Sequence, residues 1–207
     1  MAERDEETRT RLLSAAAHLF AERGAARVTV RDICGRAHAN VAAVNYHFGG
    51  KHGLYTAVMQ SAVATMQATT DAARAAGDGQ PAEARLRAYV GVFVARLMGS
   101  GRDTWIHQLM MREIADPTPA LDMVVEQVLQ PRMHVLCSII GEIAGHPSQD
   151  PRVVRCALSV QAQFHALLWS PLPPHRSGDQ QPSSDHIDAL ADHITQFSLG
   201  GVAAFRG

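Results

Sequence analysis

Between residues 40 and 51 the chain reads Asn-Val-Ala-Ala-Val-Asn-Tyr-His-Phe-Gly-Gly-Lys. Wound as a helix over 41–48, this stretch turns Val44 and Phe48 inward, with Val41 beside them. Ala42, Ala43 and Tyr46 turn outward, flanked by Asn45 and His47. Two small alanines let a backbone approach a surface closely, and their methyls suit contact with thymine. Asn45 pairs with adenine wherever it reaches a base edge. Tyr46, His47 and Lys51 are placed to meet phosphates, Lys51 at a helix start that already favours anions.

Such a helix needs an element to hold it. Thr29 caps a short helix through Ala37, with Asp32 three residues on in the capping-box arrangement. Val30, Ile33, Cys34 and Ala37 form its inner stripe. A turn at His38-Ala39 follows, and Asn40 is a good cap for the helix 41–48. An earlier helix runs from about Thr8 to Arg23, with Leu13, Ala16, Ala17 and Phe20 on one stripe and Gly24 as its stop. Residues 1–7 are expected as a loose, charged lead-in. Two short helices joined by a tight turn, with longer helices on both sides, form the helix-turn-helix plan, whose second helix enters the major groove.

The stretch TVRDICGRAHANVAAVNYHFGGKHGLY therefore resembles the signature of the TetR family of repressors. Thr29, Ile33, Ala37, Val44, Tyr46, His47, Phe48, Lys51 and Leu54 match in order and spacing. The close resemblance covers about residues 8–58. His38 stands where the family commonly has glycine in the turn, and histidine tolerates a left-handed conformation better than most residues. His52 replaces the usual acidic residue after the lysine. NVAAVNYHFGGK, with MREIADPTPAL at 111–121, resembles more narrowly the CecR-like subgroup, which includes the regulator of cefoperazone and chloramphenicol sensitivity.

Net charge is −1, with Lys+Arg 19 against Asp+Glu 20. The first 55 residues hold eight basic and six acidic side chains, so DNA contact must come from placed residues rather than from a basic field. Lys51 is the single lysine beside 18 arginines. No apolar run is long enough for a membrane span, and the charged start is unlike a secretory signal; a cytoplasmic protein is expected. Cys34, Cys137 and Cys156 are scattered and odd in number, which argues against a disulfide framework and for small buried side chains.

The chain has 11 histidines. His107, His134, His165 and His193 lie on expected helices but form no i, i+4 pair, so neither a metal nor another cofactor is expected. No phosphate loop or nucleophile elbow occurs, and Glu113 beside Arg112 reads as a structural pair; an enzyme is not expected.

Helical periodicity continues to the end, so the fold class is all-α. Helices are expected at about 51 to the mid-seventies, 82–98, 102–115, 119–144 (kinked or divided at Pro131), 151–169 and 185–205, with a Pro/Ser-rich loop at 170–184. Residues 1–50 form the expected DNA-binding domain and 51–207 a helical bundle for ligand binding and dimerisation. The expected DNA-contacting set is Thr29, Arg31, Asn40, Val41, Ala42, Ala43, Asn45, Tyr46, His47 and Lys51. Trp105, His107, Met110, Met111, Phe164, His165 and Trp169 are candidates for an apolar ligand pocket suited to an uncharged or weakly acidic aromatic effector. Val154, Leu158, Gln161, Ile187, Leu190, Ile194 and Phe197 are candidates for a homodimer interface, since the helix 151–169 is apolar on more than one face. The resemblance implies a repressor that binds a palindromic operator as a dimer and is released by a small molecule. A ligand-independent activator or nucleoid protein is the rival; operator footprinting and ligand release discriminate between them.

Overall fold

The computed structural model describes residues 2–98, 104–169 and 182–206. All regular structure there is helical: α1 (Ala2–Arg23), α2 (Val30–Ala37), α3 (Val41–Phe48), α4 (Lys51–Ala76), α5 (Ala82–Met98), α6 (Thr104–Ala115), α7 (Ala120–Val124), α8 (Gln130–Ala144), α9 (Pro151–Trp169) and α10 (Ser184–Ala203). A short 3₁₀ turn at Ala25–Arg27 follows α1, and a π-helical turn at Val125–Leu129 precedes α8. The expected all-α class therefore holds. No helix among the described residues is long and apolar enough to cross a membrane.

Two boundaries can be set against expectation, and the first differs from it. The expected lead-in at 1–7 is helical from Ala2. Asp5, Glu6 and Glu7 there are negative charges at a helix amino end, where the macrodipole favours them. At Pro131 the expected division is found: the pattern 119–144 splits into α7 and α8, with a π-turn just before the proline. Pro131 occupies the first turn of α8, where its missing N–H costs nothing, and the π-turn before it takes up the change of register. Of the loop expected at 170–184, residues 170–181 lie outside the described residues; Ser183 caps α10 by accepting from His186 N at 3.3 Å.

The chain divides into two compact units, Met1–Thr65 with Asp103–Val125, and Met66–Arg102 with Glu126–Gly207. The expected division at residue 50 follows the motif, whereas packing groups α6 and α7 with the first helices. In unit 1, Leu12, Ala16, Phe20, Ile33, Val44, Leu54 and Val58 are sealed at 0% exposure. Burying several such side chains at about 1.5–3 kcal/mol each is what holds two eight-residue helices that would not persist alone.

Polar contacts then fix α6 within unit 1. Arg112 and Glu113, expected as a pair, point to different partners. Arg112 Nε donates to the Ala21 carbonyl at 2.7 Å and its Nη2 to the Glu22 carbonyl, a cation on the free carbonyls at the end of α1. Glu113, only 2% exposed, accepts from the Tyr55 hydroxyl and from Thr118 N at 2.7 Å and Thr118 Oγ1 at 2.5 Å. Burial first, then its bond to Glu113, pushes the Tyr55 hydroxyl above the usual tyrosine range.

Unit 2 packs α5 against α8, α9 and α10. Leu86, Tyr89, Val90, Leu136, Ile140 and Val153 are its most enclosed side chains. Arg85–Glu142 at 2.6 Å, Arg206–Glu83 at 2.9 Å and Arg87–Asp192 decorate the surface, where such pairs add little stability.

Candidate nucleic-acid interface

The α2–turn–α3 segment is built by local chemistry. Thr29 and Asp32 close a complete capping box, with Thr29 N donating to Asp32 Oδ2 at 2.8 Å and Asp32 N to Thr29 Oγ1 at 3.2 Å. The Thr29 hydroxyl, donating to Asp32 Oδ2 at 2.7 Å, and then the Thr29 N–H hold the Asp32 carboxyl below its ordinary pKa. His38 ends α2 in the left-handed region at φ 50° and ψ 49°, as the substitution for glycine requires. Asn40 Oδ1 then accepts from Ala42 N at 2.9 Å and starts α3. Gly49, at φ 68°, donates its N–H to the Asn45 carbonyl at 3.0 Å and ends it.

The exit into α4 depends on Gly53. A Cβ there would lie 1.9 Å from the Phe48 carbonyl oxygen, so no side chain fits without moving backbone. The close pass is what lets α4 begin two residues after α3 ends.

Helix α3 rests on Val44, at 0% exposure, and packs against α1 and α2. Ala42 and Asn45 are exposed, Tyr46 is 76% exposed, and Ala43, Phe48 and Lys51 are half-buried. Thr29, Arg31 and Asn40 are exposed as well. Two details correct the sequence reading. Val41, expected beside the inward pair, is 42% exposed and extends the outer face. His47, expected to meet phosphate, keeps only 8% of its side chain exposed and sets Nε2 3.4 Å from Asp5 Oδ1. Because α1 reaches back to Ala2, it supplies the carboxylate that occupies His47. Arg9 Cζ also lies 5.4 Å over the Phe48 ring, a second tie from α1 to the end of α3.

The expected pocket residues fall in both units. Trp105, His107, Met110 and Met111 lie on α6 in unit 1, Met110 buried and the others half-buried. Phe164 and His165 lie on α9 in unit 2, Phe164 at 3% exposure and stacked on Phe93 with centroids 5.2 Å apart, His165 exposed. Trp169 ends α9, and its side chain lies outside the described ones. Of the expected interface set, Leu158 is 54% and Phe197 66% exposed, while Val154, Gln161, Ile187 and Leu190 are half-buried. Ile194, at 2% exposure, belongs to the core of unit 2 itself. The three thiols are free, and burial pushes each of them up in pKa.

Sequence reasoning missed Tyr89 and Arg132, which unit 2 brings near one another. The only signal was an arginine immediately after Pro131 inside an otherwise apolar pattern.

Comparison with known proteins agrees with this geometry. Residues 12–58 match the family model of the bacterial regulatory proteins of the tetR family, and residues 82–202 match that of the C-terminal domain of the HTH-type transcriptional dual regulator CecR. The HTH-type transcriptional dual regulator CecR of Shigella flexneri is 28% identical over 214 residues, covering 94% of this chain and 96% of that protein. A solved tetR-family regulatory protein from Rhodococcus RHA1 superposes with a TM-score of 0.70 at 21% identity, over 94% of this chain and 96% of that one. A TetR-family regulator from Streptomyces coelicolor gives 0.69 at 18% identity, over 98% and 97%. These two likenesses concern the fold. With both segments matched, the chain belongs to the TetR family of DNA-binding transcriptional regulators, which are not enzymes, and to its CecR-like branch.

Proposed function

We propose that this protein is a cytoplasmic repressor that binds a palindromic operator as a homodimer and leaves it when a small molecule binds beyond residue 50. One observation carries the DNA reading: α3 is anchored by Val44 and presents Val41, Ala42, Asn45 and Tyr46 outward. In this reading residues 1–50 are the DNA-binding domain and 51–207 the ligand-binding and dimerisation domain. Ala42, Ala43 and Val41 meet bases or thymine methyls, Asn45 reads a base edge, and Thr29, Arg31, Asn40, Tyr46 and Lys51 hold phosphates. His47 leaves the set because α1 already engages it.

Dimerisation rests on α9 and α10. Leu158 and Phe197 are large apolar side chains in water, flanked by half-buried Val154, Gln161, Ile187 and Leu190. A second copy related by a two-fold axis covers both. Successive half-sites of a palindrome lie about 34–36 Å apart, one turn of DNA, and a dimer places one α3 at each. Helix α4 begins in unit 1 and ends in unit 2, so a ligand that prefers a conformation with another helix spacing lowers operator affinity by that preference.

The test is footprinting on DNA flanking the protein's own gene, at several salt concentrations. A single protected palindrome supports the reading, and equal affinity for random duplexes refutes it. Lys51→Ala is expected to weaken all sequences and reduce the salt slope by about one. Asn45→Ala is expected to change preference at particular bases, by about 1–3 kcal/mol. Leu158→Asp with Phe197→Asp is expected to give monomers in sedimentation; an intact dimer overturns that interface. The Shigella relative's description as a dual regulator favours a second reading, in which the same operator also supports activation. A reporter that loses expression on deletion of the gene selects that second reading.

A further inference from the structure

Unit 2 encloses one side-chain oxygen that the described residues leave without a partner. Tyr89 on α5 is 0% exposed, and its hydroxyl has no hydrogen-bond partner among the described residues. An orphaned buried hydroxyl is costly, and a stable fold tolerates it only where something else compensates. The Tyr89 ring packs against Phe93 at 4.7 Å and Phe164 at 6.3 Å. Phe93 and Phe164 stack on one another.

Arg132 of α8 lies over this aromatic group, its Cζ 4.7 Å from the Phe93 centroid. The guanidinium bonds only neutral acceptors: Nε donates to Thr70 Oγ1 at 3.3 Å and Nη2 to the Met66 carbonyl at 3.3 Å. Both bonds are long, Nη1 makes none, and no carboxylate pairs with Arg132 among the described residues. Glu113, buried in unit 1, has by contrast three donors matched to it. The Arg132 charge also reaches the Tyr89 hydroxyl, where it opposes the pKa rise caused by burial. It reaches His165 too, whose pKa is lowered first by burial and then by that charge. Tyr89 is closed off, whereas Arg132 is part-buried, so an occupant would arrive from the side of Arg132.

The two groups want the same thing, an acceptor carrying negative charge. One guanidinium and one hydroxyl match a single negative charge. A phosphate dianion would bring a second negative charge for the one guanidinium to balance. The phenylalanine stack beside them matches an apolar body. We propose that unit 2 binds an organic monocarboxylate at this point, the carboxylate accepting from Arg132 and from the Tyr89 hydroxyl and its apolar part lying along Phe93 and Phe164. This deepens the effector reading given under Proposed function and rests on it for its regulatory consequence. It moves the centre of recognition from the α6 residues to α5 and α8.

The test uses the full chain and matched pairs of probes: benzoate, salicylate and decanoate against benzamide, salicylamide and decanamide. Calorimetry and thermal shift report binding. Acids are expected to bind and to raise the melting temperature, with the amides about tenfold weaker or worse, since only the acids carry the charge. Tyr89→Phe is expected to weaken the best acid about tenfold, and Arg132→Met about a hundredfold. Tyr89→Phe removes one oxygen and keeps the packing, so it decides the matter even if Arg132→Met does not fold. Equal shifts by acids and amides, no shift by any acid, or unchanged acid binding in Tyr89→Phe overturns the proposal; the last result would assign the hydroxyl to a trapped water. Operator release is measured separately. An acid that binds through both residues yet leaves operator affinity unchanged supports this site and refutes release by that ligand.

Discussion

Each unit encloses a charged side chain, an acid in one and a base in the other, and the two are treated differently. In unit 1 the Glu113 carboxyl meets three donors, the Tyr55 hydroxyl and the N–H and hydroxyl of Thr118. In unit 2 the Arg132 guanidinium meets two neutral acceptors at long range, next to a tyrosine hydroxyl that meets none among the described residues. The first is a finished network, and its loss strands donors in a dry interior. The second is unfinished. A fold does not gain stability from an unfinished polar group, so the difference separates a residue kept for structure from one available to a ligand.

The largest effect should come from removing the finished carboxyl. Glu113→Ala is expected to cost about 3 kcal/mol or more in urea unfolding, because the donors of Tyr55 and Thr118 lose their acceptor. Arg132→Met, which fills the space with an apolar chain, is expected to cost less than about 1 kcal/mol without ligand. Equal losses would erase the distinction. Next come the tyrosines. Tyr55→Phe is expected to lose about 2 kcal/mol, whereas Tyr89→Phe should be neutral or stabilising by up to about 1 kcal/mol. A large loss at Tyr89→Phe would mean that its hydroxyl does have a partner.

Arg112→Ala should be milder, about 1 kcal/mol, since it withdraws a cation from the exposed end of α1. The smallest effect is expected at His165. Its folded pKa lies below the ordinary 6.5, first through burial and then through Arg132. Proton uptake therefore favours the unfolded chain, and stability present at neutral pH begins to fall as pH drops below 6.5. His165→Gln should flatten that slope between about pH 7.5 and about pH 5.5. Arg132→Met should shrink it by removing the charge that contributes to the depression.

Local chemistry made unit 1's working face legible in the sequence. The Thr29–Asp32 box, the Asn40 cap, the left-handed His38 and the Val44 anchor all act within a few residues, so their outcome is written in their spacing. What was misread there involved longer reach. His47 looked free until α1, extended to Ala2, brought Asp5 against it. Arg112 and Glu113 looked like a pair because they are neighbours. Consecutive helical positions face about 100° apart, and they joined different partners.

The sequence by itself determined the helical class, the helix-turn-helix and the outward placement of Ala42, Asn45 and Tyr46 on α3. Periodicity and caps are properties of short windows, and a recognition helix is one such window. Only the tertiary structure decided which helices share a core, and with that where Arg132 stands. Thr70, Tyr89, Phe93, Arg132 and Phe164 come from four helices and span almost a hundred residues. No periodicity relates them. An arginine lacking a counter-charge and a hydroxyl lacking a partner are statements about everything that surrounds them, and a chain acquires surroundings only when it packs.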